Sequence, residues 1–305
     1  MSTAGTGNST RTGDSTGATG TGGRPEPFGA RLAKAMAARG PLCVGIDPHD
    51  ELLRGWGLPV DVEGLARFAD TVLDALAGRA AVLKPQSAFF ERHGSAGIAV
   101  LERVVAQARA AGALVLLDAK RGDIGSTMRA YAQAYLDPAG PMGADAITAS
   151  PYLGFGSLSP LLDVAAEHGA GVFVLALTSN PEGRTLQHAL TSHGRSVAAE
   201  MAAAAGEANR GARPMGSVGL VVGATLGQAV RQAGVDLVGA NAPLLAPGIG
   251  AQGASPSDLL EVFGPARPRV LPSVSREVLA AGPGTAGLVS AFERTLAACD
   301  AALNG

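Results

Sequence analysis

Residues 114–127 read LVLLDAKRGDIGST, an apolar run that stops at Asp118 and is followed at once by charges of both signs. Such a run is typical of a buried parallel strand, and α/β folds place their chemistry where these strands end. Because side chains alternate along an extended chain, Asp118 and Lys120 share a side of the strand if the extension persists. Ser126 or Thr127 can then cap a helix. The stretch predicts a strand, a charged turn and a helix.

Seven further apolar runs alternate with helical patterns on either side of this stretch, and together they predict an α/β fold of the (β/α)8 TIM-barrel class. The predicted strands span residues 42–46, 80–83, 113–117, 145–149, 172–177, 218–222, 244–246 and 270–271. The helical patterns lie near residues 62–78, 96–111, 126–136, 157–169, 194–209, 226–234, 256–263 and 283–303. Since the last two runs are weak and rich in proline, a doubly wound open sheet is the alternative architecture.

The amino-terminal region divides into two segments of different composition. Residues 1–25 are mostly Ser, Thr, Gly and Asn, which predicts a disordered low-complexity tail because so little apolar surface cannot offset the entropy of ordering. Residues 27–39 carry Phe28, Leu32 and Met36 at a spacing of four, which predicts a helix whose apolar stripe closes the bottom of a barrel. We therefore expect one barrel domain over residues 26–305.

Composition excludes several classes of function. The net charge is -2 and no run of five basic residues occurs, so we expect neither nucleic acid nor a membrane surface as a partner. The two cysteines, Cys43 and Cys299, have no metal-binding or disulfide spacing, which favours a reducing cytoplasm. No apolar stretch approaches the ~20 residues of a membrane helix. A small-molecule ligand is the expectation.

Lysine placement points to chemistry at the strand ends. Only Lys34, Lys84 and Lys120 are lysines among 24 basic residues, and two of these three end apolar runs. Asp47 and Asp118 end other runs, and in a barrel all of these ends converge on one mouth. An ion-pair network that merely caps a strand and a helix is the structural alternative.

A glycine-rich loop, PGIGAQG at residues 247–253, follows the seventh predicted strand, where barrel proteins often hold a phosphate with backbone N–H groups. Arg276 follows the eighth strand and can clamp a phosphate with two hydrogen bonds. A tight turn and a solvated surface charge are the alternatives. The five histidines show no metal spacing and are interpreted as loop or surface residues; they are His49, His93, His168, His188 and His193.

Taken together, these motifs resemble the orotidine 5'-phosphate decarboxylase family, in its longer bacterial, type 2 subfamily. The resemblance spans residues 27–303 and rests on DAKRGDIGST at 118–127, GIDP at 45–48, LKP at 83–85 and PGIGAQG at 247–253. It implies a TIM barrel that converts orotidine 5'-phosphate to UMP in de novo pyrimidine synthesis without a cofactor or a metal. It also implies a homodimer with shared active sites.

The resemblance assigns roles residue by residue. Lys84, Asp118 and Lys120, with Asp123 of the other subunit, would form an alternating charged array in which Lys120 is the proton donor. The implied substrate contacts are Asp47 to the ribose, Ser179 to the pyrimidine, Ile124 and Thr127 in the partner's site, and Gly250, Gln252 and Arg276 to the phosphate. The setting of Arg276, PSVSRE at residues 272–277, departs from the Gly-Arg pattern of shorter relatives. Residues 179–193 and 248–256 are candidate lids.

Three other functions remain open from the residues. A related decarboxylase of keto-sugar phosphates shares the Asp-x-Lys-x-x-Asp signature but uses Mg²⁺. An aldolase would form a Schiff base on Lys84 or Lys120. A sensor of nucleotide phosphates would keep the barrel without turnover, although binding alone would not require Lys120.

Overall fold

Eight apolar runs form the strands of a closed parallel barrel in the computed structural model, which describes residues 25–250 and 253–305. Each strand pairs with its neighbours in sequence, and β8 pairs with β1 to close the ring. The predicted (β/α)8 barrel is therefore confirmed over the open sheet. The strands are β1 (Cys43–Ile46), β2 (Val82–Pro85), β3 (Leu114–Arg121), β4 (Ala146–Ala149), β5 (Gly171–Leu177), β6 (Val218–Val222), β7 (Leu244–Pro247) and β8 (Val270–Val274).

Helices fill the gaps between strands at the predicted places, and several short ones were not predicted because fewer than two turns show no periodicity. The longer helices are α1 (Phe28–Arg39), α3 (Val62–Leu76), α5 (Gly94–Ala110), α6 (Gly125–Leu136), α7 (Ser159–His168), α9 (Val197–Ala208) and α13 (Thr285–Asn304). Two short helices, α10 (Gly227–Gln232) and α11 (Asp258–Phe263), lie at predicted places. The short helices that were not predicted are α2 (Asp50–Gly55), α4 (Ser87–Glu91), α8 (Gly183–Gln187) and α12 (Arg276–Leu279), and 3-10 turns occur at Phe155–Leu158 and Gly264–Arg269.

The predicted tail at residues 1–25 lies outside the described residues except for Pro25. Within the described ranges, no helix combines the length and the apolar character that a bilayer crossing requires.

The strand period of two sorts each strand into an inward and an outward set. Val82, Leu116 and Ala146 belong to the apolar cluster inside the lower barrel, together with Cys43, Phe173, Val221, Leu245 and Leu271. Two residues further along β2, β3 and β4, the inward positions hold Lys84, Asp118 and Thr148, which line a cavity at the mouth. The same alternation therefore supplies an apolar floor and a polar upper layer.

Helix α1 closes the lower end of the barrel, as its spacing predicted. Phe28 and Leu32 are fully buried in the lower cluster, and Met36 packs against it while half-buried. The ring of Phe28 meets Phe173 edge to face, with centroids 5.9 Å apart. Burial of each such side chain stabilises the fold by roughly 1.5–3 kcal/mol, so this contact anchors the helix.

A buried carboxylate ties α1 to the strands. Asp145 is 4% exposed and accepts from Arg31 at 2.6 Å and from the Val115 backbone N–H at 2.8 Å. Arg109 lies 3.6 Å from the same carboxylate. The apolar run around Asp145 gave no sign of this role, because these partners lie 30 or more residues away in sequence.

We predict that Asp145→Ala lowers the free energy of unfolding by about 2–3 kcal/mol, because it leaves the buried Val115 N–H without an acceptor and Arg31 without its carboxylate. Urea unfolding measures the change. Asp163→Ala is the control, since its pair with Arg129 is 4.0 Å long and exposed. Equal stability of the two variants would contradict the proposed anchor.

Candidate active site

Strand β3 carries two extra residues at its carboxyl end. Leu117 pairs with Ile147 and Arg121 pairs with Ala149, so residues 118–120 face Thr148 alone. Lys120 adopts a left-handed conformation with φ of 48°, which is uncommon for a residue other than glycine. The strand therefore does not stop at Asp118 as its apolar pattern suggested; it bulges and resumes, and both charged side chains emerge from the bulge.

The carboxylate of Asp118 accepts four hydrogen bonds. Its Oδ1 accepts from Lys120 Nζ at 2.6 Å and from Thr148 Oγ1 at 2.9 Å. Its Oδ2 accepts from Lys84 Nζ at 2.9 Å and from Gln86 Nε2 at 3.1 Å. Each oxygen thus receives one ammonium and one neutral donor, which fixes the orientation of the carboxylate plane.

Burial and neighbouring charges shift the pKa values of Asp118 and Lys84 in opposite directions. Asp118 and Lys84 are each 7% exposed. Burial alone would raise the pKa of Asp118, but the ammonium groups of Lys84 and Lys120 hold that pKa well below its usual range. Burial alone would lower the pKa of Lys84, yet the carboxylates of Asp118 and Asp47 hold it above its usual range. Both groups are therefore ionised at neutral pH.

The cavity above this array has a volume of about 440 Å³, a size that accommodates a small ligand. Lys84, Asp118 and Lys120 line one side, and Lys120 is the most open of the three, with 46% of its side chain exposed. Leu175 and Val221 give the opposite wall apolar surface. A small ligand with both apolar surface and charged groups suits this lining.

Two polar atoms of the cavity wall are buried without a partner among the described residues. These are Asp47 Oδ1 and Ser275 Oγ, which follow β1 and β8. Both side chains flank Gly45, where an added Cβ would lie 3.0 Å from Asp47 Oδ2 and from the Cβ of Ser275. Buried polar atoms normally have hydrogen-bond partners, so this corner offers hydrogen-bonding groups to a ligand.

The loop after β7 and the start of α12 form the far end of the cavity. Gly248, Ile249 and Arg276 line it, and Ser179 lines the wall beside them. Gly250 lies outside the lining, and its N–H donates to the Ala254 carbonyl at 2.9 Å within the loop. Gln252 lies outside the described residues. Of the predicted phosphate contacts, the structure brings only Arg276 into this cavity among the residues it describes.

Asp123, Ile124 and Thr127 do not line the cavity of their own chain. Ile124 is 61% exposed and occupies the N-cap position of α6 without a side-chain hydrogen bond. The prediction that Ser126 or Thr127 caps this helix is therefore wrong, because the helix begins at Gly125. The exposed side chain of Ile124 leaves apolar surface uncovered beside the mouth.

Three residues of the site escaped the sequence analysis. Thr148 and Gln86 bond to Asp118, and His49 lines the cavity while its ring packs on Phe89 with centroids 4.4 Å apart. The interpretation of His49 as an ordinary loop histidine missed this position. Thr148 could have been found by counting two residues from Ala146 along β4, the same spacing that relates Leu116 to Asp118.

The fold and the site define a (β/α)8 enzyme whose strand ends present a lysine and aspartate array beside an arginine at the far end of one cavity. The chain belongs to the family described as orotidine 5'-phosphate decarboxylase / HUMPS, whose model matches residues 40–288. The resemblance found from the sequence motifs is thereby confirmed.

Individual relatives extend the match to nearly the whole chain. A Salinispora arenicola protein named orotidine 5'-phosphate decarboxylase is 63% identical over 280 residues, which cover 92% of this chain and 99% of that protein. Its namesake from Streptomyces coelicolor is 62% identical over 88% of this chain and 95% of its own length.

Solved structures agree with the sequence relatives. A crystal structure of a Streptomyces avermitilis protein assigned as an orotidine 5'-phosphate decarboxylase has a TM-score of 0.90 at 59% identity, over 93% of this chain and 99% of its own. The Leishmania donovani OMP decarboxylase gives a TM-score of 0.69 at 31% identity, over 90% of this chain and 99% of its own.

We predict that Asp118→Asn lowers the free energy of unfolding by roughly 3 kcal/mol at pH 7, because Lys84 then stays buried without its counter-charge. The pKa of Asp118 is lower in the folded than in the unfolded chain, so its contribution is present above the ordinary carboxyl pKa and is lost as the pH falls through the folded value. The gap in free energy of unfolding between the wild-type protein and Asp118→Asn should therefore narrow below about pH 4, by about 1 kcal/mol per pH unit.

Urea unfolding between pH 3 and pH 7 measures this gap. Asp163→Asn is the matched control, since its carboxylate is exposed and weakly paired. A gap that keeps its full size at pH 3 would show that ionisation of Asp118 is not the source of the stability.

Proposed function

We propose that this protein decarboxylates orotidine 5'-phosphate to UMP, as a carbon–carbon lyase of pyrimidine biosynthesis. The observation that carries the proposal is the buried Asp118 carboxylate held between Lys84 and Lys120 at the barrel mouth. Relatives at 59–63% identity bear the decarboxylase name, which supports the same substrate.

The chemistry requires a fixed positive charge. When the bond from C6 to the carboxylate carbon breaks, its electron pair stays on C6, where no adjacent carbonyl delocalises it. A preorganised ammonium can stabilise that localised charge in a site that excludes water. Lys120 faces the cavity and is held 2.6 Å from Asp118, so its ammonium is available to stabilise the carbanion and then to protonate C6. UMP results, and Lys120 regains its proton from solvent.

Asp118 has a different role from the lysines. Its low pKa keeps it ionised, so a substrate carboxylate placed beside it experiences repulsion that is relieved when CO2 departs. Its four hydrogen bonds prevent it from turning away. Lys84 offsets part of its charge and, with Asp123 of the partner subunit, completes the preorganised array.

The remaining contacts orient the substrate. The unpaired Oδ1 of Asp47 would accept from ribose hydroxyls, and Ser179 would contact the pyrimidine. Arg276, with Gly250 and Gln252, would hold the phosphate, so that the binding energy of a remote group drives closure of the lids at 179–193 and 248–256. The Gly250 N–H donates to the Ala254 carbonyl, so a contact between this N–H and the phosphate requires the loop to rearrange on binding.

Assembly and location form part of the proposal. We propose a homodimer in which Asp123, Ile124 and Thr127 complete the partner's site; their place outside the cavity of their own chain supports it. Residues 26–305 would form the barrel decarboxylase domain. Cys43 and Cys299 are both free, which supports a cytoplasmic location. We propose neither nucleic acid nor a membrane as a partner.

The alternatives differ in measurable ways. Lys84 is a poor candidate for Schiff-base formation, because its raised pKa keeps it protonated. In residues 25–250 and 253–305, no three His, Cys, Asp or Glu side chains are grouped to hold a metal. Activity that survives EDTA would argue against the Mg²⁺-dependent alternative. Trapping of the protein by borohydride in the presence of substrate would argue for the aldolase. Binding of UMP without turnover would favour the sensor.

We predict that the purified protein converts orotidine 5'-phosphate in EDTA and that Lys120→Ala lowers kcat at least about 1,000-fold, since it removes both charge stabilisation and the proton donor. An absorbance assay of the pyrimidine measures conversion. Lys34→Ala is the control, because Lys34 pairs with Glu26 on the exposed surface of α1. Absence of conversion by the wild-type protein would refute the function. If Lys120→Ala lowered the melting temperature markedly as well as the activity, the result would support a structural ion pair.

The shared site gives a separate prediction. Mixing Lys120→Ala with Asp123→Ala chains creates heterodimers in which one site carries both defects and the other carries neither, so statistical mixing should restore about a quarter of native sites. Native mass spectrometry confirms that heterodimers form. If Lys120 and Asp123 of one chain served one site, every site would keep a defect and the mixture would stay as inactive as its parents.

A further inference from the structure

The bulge in β3 leaves one backbone N–H without a partner in the strand ladder, and a side chain accepts its hydrogen bond instead. With residues 118–120 facing a single residue of β4, the Lys120 N–H cannot join the regular ladder of strand hydrogen bonds. It donates instead to Thr148 Oγ1 at 3.0 Å. Thr148 is 1% exposed, so water does not substitute for this bond.

The same hydroxyl also reaches the charged array. A threonine hydroxyl has one proton to donate. Because the Lys120 N–H is necessarily the donor in the first bond, that proton is left for Asp118 Oδ1, which it meets at 2.9 Å. The hydrogen bonds thus run in one direction, from the Lys120 backbone through Thr148 to the Asp118 carboxylate.

We infer that Thr148 is a positioning residue of the decarboxylation, and this inference rests on the function proposed above. Its hydroxyl fixes the left-handed backbone of Lys120 and one oxygen of Asp118 at the same time, so it sets where the ammonium lies relative to the carboxylate. The β-branched side chain is stiff about χ1, and its strand holds it between Ile147 and Ala149.

Thr148 differs in this respect from the other neutral donor. The side-chain amide of Gln86 donates to Asp118 Oδ2, on the side of Lys84, and Gln86 lies on the segment that follows β2. Thr148 alone among the four donors to Asp118 also binds the backbone of Lys120. Loss of its hydroxyl therefore removes a hydrogen bond that holds the backbone of the proton donor.

Removal of the hydroxyl should affect the chemical step more than binding. Thr148→Val keeps the shape but leaves the Lys120 N–H without an acceptor, so the backbone relaxes and the ammonium shifts. Since a displacement of about 1 Å can reduce a rate about 100-fold, we expect kcat to fall about 30- to 100-fold. KM for orotidine 5'-phosphate and Kd for UMP should change less than about 3-fold, because Asp47 and Arg276 stay in place.

The test compares Thr148→Val, Thr148→Ser and Thr148→Ala in the full chain. Serine restores the hydroxyl and should return kcat to within about 5-fold of wild type, whereas alanine should resemble valine. The alanine and serine variants differ by the hydroxyl alone, so this pair decides the question if valine prevents folding. Ser217→Ala is the matched control; Ser217 accepts from the Gly29 N–H at 3.2 Å at the other end of the barrel.

The possible outcomes separate the two levels of inference. A wild-type protein that binds UMP but does not decarboxylate refutes the proposed function. An active wild type with unchanged kcat in Thr148→Ala, or with equal losses in the serine and alanine variants, overturns the role of Thr148. A parallel loss of UMP affinity and melting temperature with kcat also overturns it, because that pattern indicates packing. Loss of kcat that only serine rescues establishes it.

Discussion

The ionised carboxylate of Asp118 is the group on which the upper barrel depends. A buried charge is costly unless opposite charges and hydrogen bonds surround it. Here the compensation comes from two neighbouring strands and from β3 itself: Lys84 on β2, Thr148 on β4 and Lys120 two residues further on. The parallel register of β2, β3 and β4 brings these groups within 3 Å of one carboxylate. The barrel strands therefore position the charged groups of the site as well as forming the apolar core.

The two ends of the barrel divide stability from chemistry. At the lower end, Phe28 and Phe173 pack in an apolar cluster and Asp145 secures α1, with bonds that leave its carboxylate no freedom. At the upper end, buried polar atoms of Asp47 and Ser275 have no partner among the described residues, which favours a ligand that can bond to them. The same alternation of side chains along the strands produces both layers.

The strands and the barrel could be predicted from the sequence, because each depends on local pattern. That Lys84, Asp118 and Lys120 meet at one mouth followed from their places at strand ends, whereas their roles in a charged array were implied only by the family resemblance. A run such as 218–222 is apolar throughout and coincides with β6. The bulge was out of reach, since a period of two cannot reveal that residues 118–120 face one partner. The start of α6 at Gly125 was missed for a related reason: the extended backbone of Ile124, not a capping side chain, decides it. Thr148 looked apolar by context because its two partners lie 28 and 30 residues away.

The placement of α1 and α13 has a consequence for how the protein can be handled. Met36 of α1 and Asn304 of α13 line one cavity of about 770 Å³, on the side of the barrel opposite the mouth. A fluorescent domain, an affinity handle or a solid support joined after α13 would therefore project away from the substrate entrance. The barrel can be tethered through α13 with its mouth facing solution, so immobilisation need not obstruct the approach of substrate or the escape of CO2.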